Sequence, residues 1–158
     1  TLEKVVGQIL LSRKAMLATA ESCTGGFISQ LMTKHSGSSQ FFSGGIVAYA
    51  NDVKIGNLGV SKQNIIDHGA VSEAVVIEMA KGALNALHAD FAVSTSGVAG
   101  PTGGSEFKPV GTVWIAVASN KGAVAQQFKF GNSRERNIHL TAYSALNFLR
   151  ESILQGKV

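Results

Sequence analysis

The stretch Ala18-Thr19-Ala20-Glu21-Ser22-Cys23-Thr24-Gly25-Gly26 decides the fold prediction. It follows a short apolar run, 15–18, which is typical of a buried strand, and it precedes 27–32, where apolar residues recur at helical spacing. A turn from a strand into a helix is therefore predicted. Two consecutive glycines let the backbone turn sharply and let a ligand come close, and the first N–H groups of the helix face the same turn. A glutamate, hydroxyls and the only thiol of the chain meet here, although a simple helix cap by Ser22 or Thr24 explains the stretch equally well.

The rest of the pattern predicts an α/β domain. Periodic apolar residues predict long helices at about 2–13, 74–87 and 133–154, with short helices after Ala50 and Ser61. Further strands are predicted at 41–49, 91–96, 111–118 and 123–130. The sequence Asn120-Lys121-Gly122 predicts a hairpin, the one antiparallel pair expected. We therefore predict a single domain over 1–158, built as a three-layer α/β/α sandwich with a mixed, mostly parallel sheet of about five strands.

Composition and charge narrow the class of protein. The 158 residues are 45% hydrophobic and 15% charged, and the net charge of +4 comes from scattered basic residues. A nucleic-acid module is disfavoured because it needs basic residues interleaved with aromatic ones, so a small anionic ligand is the simpler partner. No apolar run reaches about 18 residues, so no membrane span is expected, and the first residues do not resemble a signal peptide. A single cysteine excludes an internal disulfide and favours a cytoplasmic location.

Two glycine-rich segments with hydroxyl side chains, 20–26 and 97–104, follow predicted strands. Ligands bind beyond the carboxyl ends of strands in open α/β sheets, so both segments are expected at one site. Neither has the spacing of a dinucleotide or Walker loop. The four histidines are far apart and lack neighbouring metal ligands, so a metal site and a Ser-His-Asp triad are disfavoured. A Ser-Lys pair is better supported, because Lys54 has apolar neighbours that would lower its pKa and make it a base, the alternative being a solvated lysine at a helix start.

Six ordered motifs resemble the C-terminal domain family of the competence/damage-inducible protein CinA. They are Ala-Glu-Ser-Cys-Thr-Gly-Gly at 20–26, Gly-Ser-Ser at 37–39, Tyr49-Ala50-Asn51 with Lys54, His68-Gly69-Ala70-Val71-Ser72, Ser96 to Gly104, and Lys108-Pro109-Val110-Gly111-Thr112-Val113. The resemblance covers nearly the whole chain. It implies deamidation of nicotinamide mononucleotide to nicotinic acid mononucleotide and ammonia, in pyridine-nucleotide salvage. It implies no metal, and we assign no cofactor; the expected partner is the small nucleotide, with self-association into a homo-oligomer left open.

The resemblance also implies roles for individual residues. Ser22 is expected to be the nucleophile, Lys54 its base and Tyr49 a proton-relay or orienting group. Cys23 is a rival nucleophile by chemistry, although a buried cysteine is usually inert packing. Substrate binding is assigned to Glu21, Thr24, Gly25 and Gly26 in the turn, and to Ser96, Gly97, Gly100, Thr102 and Gly103 in the second loop.

One departure from the family pattern concerns the phosphate site. The pattern places arginines two and six positions after the glycine that ends the last strand, and here those positions hold Ser133 and Asn137. Arg134 and Arg136 lie nearby but out of register, and an arginine fork is the natural clamp for a phosphate. Either Arg134 binds the phosphate or the chain is a catalytically weak nucleotide-binding or regulatory paralogue. A solvated first helical turn is the plain alternative for both arginines.

Overall fold

The computed structural model describes all of residues 1–158. Its six helices are α1 (Leu2–Ser12), α2 (Phe27–Thr33), α3 (Asn51–Leu58), α4 (Lys62–His68), α5 (Glu73–Ala86) and α6 (Arg134–Leu154). Its five strands are β1 (Leu17–Glu21), β2 (Phe42–Val47), β3 (Phe91–Gly97), β4 (Thr112–Ser119) and β5 (Gly122–Lys129), and a short 3-10 helix spans Ser38–Gln40. No helix combines the length and the apolar character that a membrane crossing requires.

The five strands form one mixed sheet in the order β2-β1-β3-β4-β5. β1 is parallel to both β2 and β3, whereas β4 is antiparallel to both β3 and β5. The predicted α/β fold and the hairpin are confirmed, but a mostly parallel sheet with one antiparallel pair is an overstatement. The reason is that β3 and β4 are joined by an extended loop without a helix, so β4 returns directly beside β3.

Helices cover both faces of the sheet. One face packs against α1, α2 and α6, and its core is formed by Val6, Leu10, Leu17, Ile28, Leu31, Met32, Val93, Ile115, Val117, Leu146 and Leu149. The other face packs against α3 and α5 through Ala18, Ala20, Leu58, Val75, Met79, Ala83 and Ala92, and through Val76 and Ala80 against Ala116 and Ala118. Successive side chains of β1 point to opposite faces of the sheet, and helices cover both faces, so every residue of this strand is buried.

The carboxyl ends of three parallel strands meet at one edge of the sheet. β1 ends at Glu21, β2 at Val47 and β3 at Gly97. Each strand is followed by a segment for which the sequence predicts a role in the site: the strand-to-helix turn, the segment that contains Tyr49 and Lys54, and the second glycine-rich loop. β1 extends further than predicted, because Thr19, Ala20 and Glu21 are strand residues that pair with both neighbours. The turn itself therefore begins at Ser22.

Candidate active site

The side chain of Glu21 links the end of β1 to the start of α2. Its fully buried carboxylate accepts hydrogen bonds from Ile28 N (2.8 Å) and Thr24 Oγ1 (2.7 Å) at Oε1, and from Ser29 N (3.0 Å) and Ser29 Oγ (2.7 Å) at Oε2. The carboxylate therefore satisfies N–H groups of the first turn of α2, which no other backbone group can pair. Both oxygens are therefore occupied inside the protein, so the structure gives Glu21 a structural position, and its assignment to substrate binding stays a prediction.

Thr24, Gly25 and Gly26 build the turn and lie outside the cavity described below. Thr24 is buried, and its hydroxyl also lies 2.9 Å from Thr95 Oγ1. Gly25 and Gly26 have φ angles of 58° and 99°, which L side chains rarely adopt. Gly26 is the N-cap of α2, so neither hydroxyl residue caps this helix. The structure gives these three residues a structural position and does not support their assignment to substrate binding.

Ser22 and Lys54 form a buried pair at the carboxyl edge of the sheet. Ser22 is 8% exposed, and its N–H donates to Thr95 O at 3.0 Å. Lys54, on the first turn of α3, is 1% exposed and places Nζ 3.0 Å from Ser22 Oγ. Nζ also donates to Tyr49 O at 2.9 Å. The structure thus brings the two residues of the predicted Ser-Lys pair into hydrogen-bond distance.

The surroundings of Lys54 make its ammonium group easier to deprotonate. Burial lowers the pKa of Lys54 from its ordinary value, because desolvation penalises the ammonium form, while the nearby Cys23 acts in the opposite direction. None of the salt bridges in the protein involves Lys54. A lysine without a carboxylate partner can release its proton and use the lone pair to accept a proton from a neighbouring hydroxyl.

Tyr49 contributes its backbone to the pair and its ring to the cavity rim. Its carbonyl oxygen orients the Lys54 amine, as described above. Its ring is 61% exposed, and its hydroxyl accepts a hydrogen bond from Arg134 Nη2 at 3.1 Å. No hydrogen bond joins that hydroxyl to Ser22 or Lys54. The structure therefore supports an orienting contribution and does not place the hydroxyl for a proton relay.

Cys23 is buried beside the pair but is chemically suppressed. Its thiol is 7% exposed, and burial raises its pKa to about 12. Smaller opposing effects come from Thr95 and Lys54, and the charge of Glu21 adds to the rise. Since the thiolate is the reactive form, a thiol this difficult to ionise is a poor nucleophile near neutral pH. The environment favours Ser22 over Cys23.

A cavity of about 350 Å³ opens above the pair. Ser22, Tyr49, Lys54, Ser96, Gly97, Gly100, Thr102, Gly103 and Arg134 line it among others, so the predicted residues of the second loop lie together with the pair. Ser96 is tied by its hydroxyl to Ala70 O at 2.8 Å. Gly97 has no room for a side chain, since a Cβ there would lie 2.6 Å from Val113 Cγ2. A larger groove of about 480 Å³ between β5 and α6 contains no serine-lysine pair.

Arg134 and Asn137 connect the first turn of α6 to the second loop. Arg134 Nη1 donates to Gly100 O at 2.8 Å, so the guanidinium lies at the cavity rim. Asn137 is 1% exposed, and its Nδ2 donates to Ala99 O (3.0 Å) and Gly131 O (2.9 Å). Arg136 is exposed and does not line the cavity. Of the two displaced arginines, only Arg134 reaches the site.

Sequence reasoning missed several cavity residues. Asn51, Ala70 and Val71 line the cavity but are not among the residues that the sequence assigns to substrate binding. Asn51 and the pair Ala70-Val71 lie within motifs that carried the family resemblance, which was the available signal. Their position depends on how α3 and the segment before α5 pack over the strand ends, and local sequence spacing does not specify that packing.

The fold and site together define an α/β protein with a buried serine–lysine pair at the carboxyl edge of its sheet. The chain belongs to the CinA C-terminal domain family, which it matches over residues 1–153. It is 49% identical over 157 residues to the nicotinamide-nucleotide amidohydrolase PncC of Escherichia coli K12, covering 98% of this chain and 94% of that protein.

Other relatives differ in length or are known as structures. A CinA-like protein of Amoebophilus asiaticus is 46% identical over 99% of this chain, which spans only 38% of that protein. A CinA superfamily structure from Klebsiella pneumoniae has a TM-score of 0.94 at 34% identity, covering 98% of this chain and 96% of that one. The competence/damage inducible protein CihA of Agrobacterium tumefaciens has a TM-score of 0.92 at 38% identity, covering 95% and 92%.

Proposed function

We propose that this chain is an amidohydrolase that converts nicotinamide mononucleotide to nicotinic acid mononucleotide and ammonia. The observation that carries the proposal is the buried contact of 3.0 Å between Lys54 Nζ and Ser22 Oγ. The name of the Escherichia coli relative, a nicotinamide-nucleotide amidohydrolase 49% identical to this chain, supplies the substrate class. The reaction belongs to pyridine-nucleotide salvage, and we assign it to a single amidase domain over 1–158, acting in the cytoplasm.

In the first half of the reaction, Ser22 Oγ attacks the carboxamide carbon of the nicotinamide. The neutral Lys54 amine accepts the hydroxyl proton as the new C–O bond forms, and Tyr49 O holds that amine in place. The tetrahedral intermediate then collapses. Lys54 returns the proton to the departing nitrogen, the C–N bond breaks, and ammonia leaves an ester on Ser22.

In the second half, water replaces ammonia. Lys54 accepts a proton from the water, the resulting hydroxide attacks the ester carbon, and the proton passes to Ser22 Oγ as the ester bond breaks. Nicotinic acid mononucleotide is released with the serine and the neutral lysine restored. The balance is one amide and one water in, and one acid and one ammonia out, with no oxidant or reductant required.

Binding of the nucleotide falls to the second loop and α6 in this proposal. The loop carries Gly100, Thr102 and Gly103 around the cavity, and the Arg134 guanidinium lies at its rim. A guanidinium there suits a phosphate, because its planar fork can donate two parallel hydrogen bonds. The phosphate would replace the present partner of Nη2, the exposed Tyr49 hydroxyl.

The test is ammonia release from nicotinamide mononucleotide by three variants. Ser22→Ala should lower turnover about 10⁶-fold, as loss of a serine nucleophile does elsewhere, while leaving nucleotide binding intact. Lys54→Met should abolish turnover as well, because the base is gone. Cys23→Ala is the matched control and should retain the parent rate. Near-normal ammonia release by Ser22→Ala would return the role to Cys23 or to direct attack by water.

A second candidate function is a nucleotide-binding paralogue with weak turnover. The observation that favours it is that both terminal nitrogens of Arg134 already have protein partners, Gly100 O and Tyr49 Oη. If the guanidinium keeps those partners, the phosphate loses its cation. A parent chain that binds the mononucleotide but releases ammonia no faster than Ser22→Ala would select this candidate.

A further inference from the structure

The Ala99–Gly100 segment is held by two side chains of α6. Asn137 Nδ2 donates to Ala99 O, and one helical turn earlier Arg134 donates to Gly100 O, so two consecutive carbonyls of the loop face α6. Asn137 also bonds Gly131 O, and that carbonyl lies against Gly111, where the loop ends: a Cβ on Gly111 would be 2.6 Å from it. One carboxamide thus ties the start of the loop to its end.

Holding this carbonyl determines where the next amide points. The only cis peptide of the chain is Gly100–Pro101, so the Ala99–Gly100 peptide is trans, and its N–H points away from its C=O. With Ala99 O turned toward Asn137, the Gly100 N–H points away from Asn137, and Gly100 itself lines the cavity. That N–H has no acceptor within the protein. It is an unused donor beside the Arg134 guanidinium.

The side-chain oxygen of Asn137 is left without a hydrogen bond by this arrangement. Its Oδ1 is buried without a partner. Turning the amide over would not help, since it would set the oxygen against two carbonyl oxygens. A buried unsatisfied acceptor offsets much of what the two donated hydrogen bonds contribute to stability. An apolar residue of similar size would remove the unpaired oxygen but would leave Ala99 O and Gly131 O without this donor, so the contribution of Asn137 is to hold these two carbonyls in place.

We propose that Asn137 is a positioning residue, which aims the Gly100 N–H at the anionic group of the substrate. The proposal rests on the proposed function for the identity of that group, the phosphate of a mononucleotide. It assigns the phosphate two donors of different kinds, the Arg134 guanidinium and a backbone amide oriented from behind. Asn137 itself does not touch the ligand.

The test compares a nucleotide with its phosphate-free riboside in the parent and in Asn137→Leu. Dissociation constants are measured by calorimetry for nicotinic acid mononucleotide and for nicotinic acid riboside, and ammonia release is measured from the two corresponding amides. The variant should weaken the mononucleotide about tenfold, the equivalent of one net hydrogen bond, and the riboside less than about twofold. KM for nicotinamide mononucleotide should rise in parallel with little change in kcat.

The matched control is Thr141→Val on the next turn of α6. Thr141 is also buried, and its hydroxyl donates to Asn137 O at 2.6 Å and makes no hydrogen bond to the loop. The control should leave both dissociation constants at the parent values. If Asn137→Leu does not fold, Asn137→Ser replaces it, because its shorter side chain cannot span the two carbonyls.

The outcomes separate this proposal from the proposed function. Equal weakening of nucleotide and riboside, or no change in either, overturns the role of Asn137. A fall in kcat at constant KM overturns it too, because that result places the effect at the reacting amide. A parent that binds the nucleotide but releases no ammonia overturns only the proposed amidase activity, and the two dissociation constants then still decide the role of Asn137.

Discussion

Replacing Glu21 by glutamine tests whether the carboxylate beneath the turn is a stabilising anchor. The change keeps the shape of the side chain but converts one acceptor oxygen into an NH₂ donor. Each carboxylate oxygen currently faces one backbone N–H and one hydroxyl. A hydroxyl can rotate to accept from the new NH₂ group, whereas a backbone N–H cannot. Either orientation of the glutamine therefore leaves the N–H of Ile28 or Ser29 without an acceptor.

The size of the effect follows from these contacts. An unsatisfied buried N–H costs about 1–3 kcal/mol, and each remaining bond loses about 1 kcal/mol as its acceptor changes from charged to neutral. Loss of the negative charge at the N-terminus of α2 adds about 0.3–1 kcal/mol. With two bonds kept at the remaining oxygen, we expect Glu21→Gln to lower the free energy of unfolding by about 3–6 kcal/mol, close to the cost of disrupting other buried charged groups.

The assay is urea unfolding followed by circular dichroism, with Glu73→Gln as the control. Glu73 also lies in the first turn of a helix, α5, but is exposed and makes no side-chain hydrogen bond, so its substitution should cost less than about 1 kcal/mol. Equal losses for the two variants would refute the reasoning, because burial and the four hydrogen bonds would then contribute nothing beyond an ordinary helix-end charge.

Three further predictions concern the cavity. The pKa of Lys54 is lower in the folded chain than its ordinary value of 10.5, so between those two pKa values the unfolded chain binds more protons than the folded chain. The free energy of unfolding should therefore rise with pH across that range in the parent and not in Lys54→Met. Urea unfolding at several pH values measures this difference. Arg134→Ala should weaken the binding of nicotinamide mononucleotide about 10- to 150-fold, the equivalent of about 1.5–3 kcal/mol, and leave the binding of the riboside unchanged. Arg136→Ala should change the binding of neither ligand. Identical behaviour of the two variants would show that neither arginine binds the phosphate. With a pKa raised to about 12, Cys23 should resist iodoacetamide at pH 8 in the folded protein and react after unfolding, as followed by mass spectrometry; rapid labelling of the native chain would contradict its inert environment.

The strand-to-helix turn was predictable because its signals are local. Two glycines, a preceding apolar run and a following periodic segment lie within one short stretch of sequence. The end of β1 was placed too early because a charged residue is not expected in a buried strand. Glu21 is accommodated there only because α2 folds back and supplies N–H groups to it, and that contact exists only in the folded chain.

The contacts of α6 show the limit of sequence reasoning most clearly. Spacing favoured Arg134 over Arg136 but could not establish that Arg134 reaches the site, since a one-residue shift turns a helical side chain by about 100°. The segment after β5 decides which of them faces the site, and it places Arg134 on Gly100 O and Asn137 under the loop. Asn137 entered the sequence argument only as a missing arginine, because its partners are carbonyl oxygens of segments distant in the chain.

In the proposed mechanism, the burial of Lys54 without a carboxylate partner makes catalysis compete with thermal stability in this domain. A lysine that is 1% exposed and has no carboxylate partner costs folding free energy, and an apolar side chain of similar length would remove that cost. Directed evolution that selects only for stability at high temperature should therefore enrich replacements of Lys54 and yield more stable proteins that lack the proposed base. A screen for stabilised variants of this domain needs ammonia release as a second criterion in every round.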